Sequence, residues 1–253
     1  MKYAQKNTTV IKTMDILNLF MDHIKMSLPE LGLYTQIPRT SLLRMLTSLV
    51  EMGFLHRDAS GNYELGLTFL HFGQLVAERM DIRNIALPVM HRLQQEADEA
   101  VNLAINDGNE AIYVEKINTS HQVKVYTRIG RRAPLYGGAC PRILLAFMPH
   151  DEREKYIEET ELISYAAGTI LNKEDLRREL VEVCRVGYSV SHSELQDFTS
   201  AVAAPIYNRR GQVIASLSLA GLTERFKGER LQFLIELVMT AAREISSRLG
   251  WRV

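Results

Sequence analysis

Two spacings of apolar residues divide the chain. From Val10 to Val50, and again from Leu67 to Ala97, they return every three or four positions; from Ala100 onward, stretches of period two enter. The first helical run, Val10, Ile11, Met14, Leu17, Phe20, Met21 and Ile24, is expected to start at a Thr8 or Thr9 cap. A short helix at about Pro29 to Leu33 follows, with Ser27 at its start. The next helix begins at Pro38, since proline suits a first turn whose N–H lacks an intrahelical partner. Leu42, Leu43, Leu46, Leu49 and Val50 form its buried stripe. At 100° per residue, Thr40, Ser41, Arg44, Thr47 and Ser48 share the opposite face. Gly53 closes this helix. Phe54–Arg57 and Asn62–Leu65 read as strands around an Asp58-Ala59-Ser60-Gly61 turn. Short helix, tight connection, long helix and hairpin make a winged helix-turn-helix.

Leu67 to Met80 is a helix apolar on more than one side, at Leu67, Phe69, Leu70, Phe72, Leu75 and Val76. One small domain does not cover so much of a helix, which points to a linker packed against a second subunit, with His71 as an interface histidine. Another helix runs from Asp81 to about Ala97, with Leu87, Met90, Leu93 and Gln94 on successive turns. Val101, Leu103 and Ile105 then alternate, Asp107-Gly108 turns the chain, and Ala111 to Ile117 returns as a second strand. A third strand is expected at Val123 to Arg128. Helices follow at Pro141–Phe147, Asp151–Thr160 and Lys173–Val186, and strands at Tyr188–Ser191, Ser200–Tyr207 and Gln212–Ala220. A closing helix spans Lys227 to Leu249. The second half is thus a sheet of about six strands with helices on its faces, α/β in content and mixed in order.

At 253 residues the chain has room for two domains. Thirty basic and thirty acidic residues rule out a global polycation, and the first 66 residues, with seven basic against six acidic side chains, stand at only +1. The local bias matters more: Gln36 to Val50 holds Arg39 and Arg44 and no acid. A long helix with an apolar back and a front of small hydrogen-bonding side chains plus arginines suits a DNA major groove. Arg39, Thr40, Ser41, Arg44 and Ser48 are the expected groove contacts. His56, Arg57 and Asn62 in the wing are expected at the backbone or minor groove, and Lys12 and Ser27 at phosphates. A protein this neutral depends on dimerisation and groove contacts more than on bulk phosphate attraction. Two distant cysteines, Cys140 and Cys184, give neither a disulfide framework nor a zinc spacing, and no metal or cofactor is expected. No apolar leader or membrane-length run is present, so the cytoplasm is the expected compartment.

Two stretches carry candidate chemistry. Tyr136-Gly-Gly-Ala-Cys-Pro-Arg142 enters a helix through a glycine pair, and a helix amino terminus offers free N–H groups to an anion. A thiol there has a lowered pKa, which admits an alternative class: Cys140 as nucleophile, with His121, His150 or His192 as base. The second stretch is Ser189–Ala204 with Ser216-Leu-Ser218-Leu-Ala220. Ser216, Ser218 and Ala220 share a sheet face, and small hydroxyls opposite a glycine-rich helix entry form a pocket for a small polar or anionic molecule.

These pieces in this order resemble the IclR family of bacterial transcription regulators over nearly the whole chain. The resemblance rests on Val10-Ile-Lys-Thr-Met-Asp-Ile-Leu, Ser27-Leu-Pro-Glu-Leu, Pro38-Arg-Thr-Ser-Leu-Leu-Arg-Met-Leu, Leu49-Val-Glu-Met-Gly-Phe-Leu and Tyr63-Glu-Leu-Gly. It continues with Tyr126-Thr-Arg-Ile-Gly-Arg-Arg-Ala-Pro-Leu, Arg185-Val-Gly-Tyr, Val202-Ala-Ala-Pro-Ile and Leu217-Ser-Leu-Ala-Gly. It implies a winged helix-turn-helix at 1–66, a linker helix at 67–81 and a GAF-like effector domain at 82–253. It also implies a homodimer or tetramer on a palindromic double-stranded operator, most often repressing a catabolic operon in response to a small organic acid or related metabolite. Effector contacts are expected from Val125, Ala139, Cys140, Ser191, Thr199, Ala201, Ser218 and Ala220. The chain departs from the family where the pocket helix begins: Cys140-Pro141-Arg142 replaces a small residue followed by Gly-Lys. Ser191 stands at the family's acidic position, Phe198-Thr199-Ser200-Ala201 at its Gly-Val-x-Cys, and Ser218-Leu219-Ala220 at its Ser-x-Ser. Of the serine pair and cysteine that hold a small carboxylate in some members, only Ser218 is left, so the expected effector is not simply glyoxylate or pyruvate. The competing reading is a metabolite sensor or cysteine enzyme that reuses the helix-turn-helix for protein contacts.

Overall fold

The computed structural model describes residues 7–78, 81–125 and 127–252. The chain forms two compact units, Met1–Arg79 and Met80–Val253.

In the first unit, α1 (Thr8–Leu19) is capped by Asn7, whose side chain accepts from the Thr9 and Val10 N–H groups, so neither threonine caps it. Its core residues are Ile16 and, just beyond, Phe20. Val10, Ile11, Met14, Met21 and Ile24 are exposed, so most of the expected stripe is an uncovered second face. Ser27 caps α2 (Leu28–Thr35) in a capping box with Glu30. Gln36, left-handed at φ 53°, turns the chain toward α3 (Arg39–Glu51). On α3, Leu42, Leu46 and Leu49 are buried, while Leu43 is exposed and Val50 half-buried. Strands β1 (Leu55–Arg57) and β2 (Tyr63–Leu65) pair antiparallel, and Met26 bridges to Tyr63 as a short third edge. Gly66 must be glycine: a Cβ there would lie 2.1 Å from the Gly53 carbonyl oxygen. Helix α4 (Thr68–Glu78) then begins with Phe69 and Phe72 against Phe54, leaving Leu67, Leu70, Phe72, Val76 and His71 exposed. The expected linker runs past its end, and residues 79 and 80 lie outside the described residues.

The second unit comprises α5 (Asp81–Ala97), β3 (Ala100–Asp107), β4 (Glu110–Ile117), β5 (Arg132–Pro134), α6 (Ala139–Ala146), α7 (His150–Glu159), α8 (Lys173–Val186), β6 (Ser189–His192), β7 (Thr199–Tyr207), β8 (Val213–Leu222) and α9 (Gly228–Arg248). The buried residues of α5 are Ala86, Val89, Met90, Leu93 and Ala97; Leu87 and Gln94 are half-buried. The sheet order is β5-β4-β3-β8-β7-β6, and each of these pairs is antiparallel. Period two sorts its side chains. Val101, Leu103, Val202, Ala204, Ile206, Ala215, Leu217 and Leu219 face α5 and α9. Ala104, Ala111, Tyr113 and Ala203 face α6, α7 and α8. One expected strand is absent: the described residues of 123–128 form none, and Tyr126 lies outside them. The third strand of that edge is β5, because Tyr113 N–H donates to Arg131 O and Gly130 N–H to Tyr113 O, so later residues take up the ladder. The alternation of Val123 and Val125 is a loop's; Val123 is exposed.

Candidate functional site

The first candidate surface lies on α3. Leu42, Leu46 and Leu49 fix the helix to the core, and helical geometry then turns Thr40, Ser41, Arg44, Thr47 and Ser48 outward, all exposed, with Arg39 in the first turn. Thr9 and Thr13 of α1 join Ser41, Arg44 and Ser48 along one surface groove. Lys12 is exposed on α1. Ser27 is less free than its neighbours, since its hydroxyl donates to Glu30 Oε2 at 2.7 Å and its N–H to the same oxygen. In the wing, Asp58 organises the turn by accepting from the Asn62 and Ser60 N–H groups; the Asn62 N–H and the Lys25 ammonium 3.2 Å away hold its carboxyl below the usual range. His56 is exposed. Arg57 reaches the Gly61 carbonyl at 3.4 Å and lies over the Tyr63 ring, so it reads as a wing stiffener as much as a free cation.

The second candidate is a cavity of about 50 Å³ between the sheet and the start of α6. Val125, Ala139, Cys140, Ser191, Thr199, Ala201, Ser218 and Ala220 all line it, from one loop, α6 and the three strands β6, β7 and β8, which the sequence separates widely. Asn102, Tyr113, Arg131, Glu194 and Leu195 line it too and were not expected. The signal for Asn102 was present, as one amide inside the apolar run Val101-Asn102-Leu103. In register it lies across from Ser218, which has Ala203 on its other side. Its Oδ1 is buried and has no hydrogen-bond partner among the described residues.

The helix entry is built differently from the expectation. Helix α6 begins at Ala139, not Pro141, after Gly138 at φ 84°, and Pro141 is tolerated inside the first turn. The glycine pair is required by Leu195, whose methyl carbons would sit 2.9 Å from a Cβ at Gly137 and 3.1 Å from one at Gly138. The amino terminus already holds a carboxylate. Glu194 Oε2 accepts from Gly138 N–H at 2.9 Å and from Arg142, with which it forms an ion pair. Arg142 is 1% exposed and also donates to Val190 O at 3.1 Å and Ser189 Oγ at 3.4 Å. The strap carrying Glu194 is anchored by Thr169 Oγ1 to Glu194 O (2.6 Å) and Gly168 N–H to Ser193 O (2.7 Å).

The chemistry of Cys140 corrects a second expectation. Burial pushes its thiol up to about 11, outweighing the hydrogen bonds from its surroundings, so it is not a thiolate at neutral pH. Its Sγ donates to the Ser216 carbonyl at 3.5 Å. The histidines proposed as its base are engaged elsewhere: His121 with Asp98, His150 with Asp151, and His192 with Ser200. Among the described residues no cluster of ligating side chains fits a metal ion.

Residues 9–59 match the IclR helix-turn-helix domain, and residues 74–247 match the bacterial transcriptional regulator IclR C-terminal domain. The HTH-type transcriptional regulator KipR of Bacillus subtilis (strain 168) is 54% identical over 246 residues, 97% of this chain and 98% of that protein. The HTH-type transcriptional regulator KdgR of Escherichia coli (strain K12) is 30% identical over 251 residues, 99% of this chain and 95% of that protein. Among solved structures, the IclR of Thermotoga maritima matches with a TM-score of 0.82 and 27% identity over 96% of this chain and 99% of that one. An IclR homolog from Microbacterium hydrocarbonoxydans, complexed with 4-hydroxybenzoate, matches with a TM-score of 0.84 and 25% identity over 96% and 99%.

Proposed function

Because the chain belongs to the IclR family of bacterial transcription regulators, we propose that it is a repressor of a catabolic operon whose grip on a palindromic operator is set by a small molecule in the Ser218–Cys140 cavity. It is a regulator and not an enzyme. In this reading residues 1–66 read DNA, 67–81 link, and 82–253 sense. Arg39, Thr40, Ser41, Arg44 and Ser48 enter the major groove, His56, Arg57 and Asn62 follow the wing, and Lys12 and Ser27 meet phosphates. The cavity is the effector site. The 4-hydroxybenzoate bound by the Microbacterium protein supports a small-molecule effector for this chain. A homodimer or tetramer is supported by the exposed apolar residues of α1, of α4 and just before α4, including Val10, Met14, Leu67, Leu70 and Val76. No helix among the described residues is long and apolar enough to cross a membrane, and the proposed compartment is the cytoplasm.

The observation that carries this reading is the outward face of α3, where Arg39 and Arg44 stand among small hydroxyls with no acid before Glu51 and behind which Leu42, Leu46 and Leu49 are buried. The test is fluorescence anisotropy on a duplex from upstream of the protein's own gene and on a scrambled duplex, across a salt series. Specific binding over two half-sites is expected. Arg44→Ala should cost about 1–3 kcal/mol on the specific duplex and little on the scrambled one. Equal weakening on both would make Arg44 a phosphate contact, and no binding at low salt would refute the reading.

A further inference from the structure

The cavity beside α6 is closed as it stands. Its volume of about 50 Å³ holds a few waters, whereas small-molecule pockets run from roughly 300 Å³ upward. Cys140, on its wall, is buried. A solute larger than water reaches the interior only if part of the lining moves. Glu194, Leu195 and Gln196 of that lining belong to the strap, residues 193–198, which joins β6 to β7.

The strap is shut under strain. Each of its feet is a non-glycine residue in the left-handed region, Ser193 at φ 51° and Phe198 at φ 61°. A Cβ makes that region unfavourable, most of all for a bulky side chain with no polar group to bond locally. Ser193 recovers part of the cost, since its hydroxyl accepts from Phe198 N–H at 3.1 Å. Phe198 is 80% exposed, so burial of its ring does not offset the turn it is made to adopt. The feet are held by hydrogen bonds from their surroundings. Ser193 N–H donates to Thr199 O at 2.7 Å, Gly168 N–H to Ser193 O at 2.7 Å, and Thr223 N–H to Phe198 O at 2.9 Å. Thr169 Oγ1 donates to Glu194 O at 2.6 Å and Ala167 N–H to Asp197 Oδ1 at 3.0 Å, which ties the span to the 166–169 loop. Strained feet kept in place by a few latches to one neighbouring loop make an element with two positions.

We propose that the strap is the door of the cavity and Phe198 its strained hinge: the left-handed turn at 198 raises the energy of the closed form and so sets how often the strap stands open. The use of the door, to admit an effector, rests on the reading of the cavity as the effector site. The opening itself is a property of the strap and is measured without any effector.

The experiment reads the opening at Cys140, because a reagent reaches that thiol only past the lining. Cys184→Ser leaves Cys140 as the single thiol of the full-length chain. Its labelling by iodoacetamide is followed where the rate is proportional to reagent, so that the rate reports the opening equilibrium, and Trp251 fluorescence confirms that each variant is folded. Opening of the strap exposes little surface, so in this background the rate should stay flat in low urea, whereas labelling through global unfolding climbs steeply. Thr169→Val removes the latch to Glu194 O and should speed labelling about tenfold. Phe198→Asn takes the left-handed turn at lower cost and should slow labelling about threefold or more, while Phe198→Ala, which deletes the ring and keeps a Cβ, should stay within about twofold of the parent. Lys116→Met loosens the opposite wall, where Lys116 Nζ donates to Thr127 O at 2.6 Å, and should leave the rate unchanged. A rate that climbs with urea from the start, equal rates for asparagine and alanine at 198, or acceleration by Lys116→Met and not by Thr169→Val would each overturn the proposal. Operator binding is measured on the same samples. The expected rates without operator binding refute the regulator reading alone, and intact operator binding with the wrong rates refutes the door alone.

Discussion

Replacing Arg142 by methionine tests whether the buried pair with Glu194 is what seats the strap. Methionine keeps most of the length of the side chain and removes the charge. The guanidinium is 1% exposed and Glu194 7%, so neither partner recovers much hydration when the other is lost. Breaking a buried pair from one side leaves an uncompensated charge and costs about 3–5 kcal/mol. Glu194 would retain the Gly138 N–H, and Ser189 Oγ and Val190 O would lose a donor. Removing both partners, Arg142→Met with Glu194→Leu, takes away that charge, and such replacements are commonly neutral or stabilising. The double variant should therefore be more stable than Arg142→Met alone, with a coupling of about 2 kcal/mol or more. Urea unfolding followed by tryptophan fluorescence isolates the relevant unit. Trp251 is the chain's single tryptophan and stacks on Tyr207, with ring centroids 4.8 Å apart. For a unit of this size, 3–5 kcal/mol corresponds to a melting shift of about 6–20 °C. A loss below about 1 kcal/mol for Arg142→Met, or strict additivity in the cycle, would refute the reasoning.

Three further outcomes are expected from the packing of the two units. Leu46→Ala removes a fully buried side chain from the first unit; it should cost about 2–5 kcal/mol there and abolish DNA binding while the Trp251 transition stays in place, and a shared shift of both would contradict two separate cores. Cys140 should resist alkylation in the folded protein while the exposed Cys184 reacts; because the folded thiol is raised from 9.0 to about 11, its contribution to stability is complete below pH 9 and lost as the pH climbs toward 11, so Cys140→Ala should flatten the alkaline fall in denaturation midpoint. Thr169→Val deletes the donor to Glu194 O and the acceptor for the Tyr165 and Ala166 N–H groups; both amides should lose hydrogen-exchange protection, and unchanged protection would mean that the strap is held elsewhere.

The DNA-reading unit was legible because its signals are local. The Ser27 capping box, the Leu42, Leu46, Leu49 stripe and the Asp58–Gly61 turn each specify their own element within a few residues. The first helix misled because it carries two apolar faces. Ile16 and Phe20 enter the core, while Val10, Met14 and Met21 do not, and helical period alone cannot say which face its own unit covers. The same uncertainty ran through Leu87 on α5, where Ala86 and Val89 proved to face inward. The missing strand at 123–128 failed for a tertiary reason: two valines alternate in a loop, and the edge of β4 is taken by Arg132–Pro134.

The cavity divides along the same line. Residues that share a sheet face, such as Ser218 and Ala220, follow from period two, and Cys140 from the glycine-rich helix entry. Glu194 lies in the irregular strap between β6 and β7, where Ser193 and Phe198 adopt φ of 51° and 61°, and no periodicity places its side chain. The close approach of Leu195 to Gly137 and Gly138, the Arg142 ion pair and the Thr169 and Gly168 bonds bring it to α6. The glycine pair marks a sharp entry to the helix, as its sequence suggests, but the helix end is not an open anion seat, because the protein's own strap brings Glu194 to it. Arg142 tells the same story from the other side: an arginine in an apolar helix such as Ala139–Ala146 needs a buried partner, and the partner stands 52 positions away. A charged residue in a buried helix thus predicts that an opposite charge exists somewhere in the chain, and finding which one is a question for the fold.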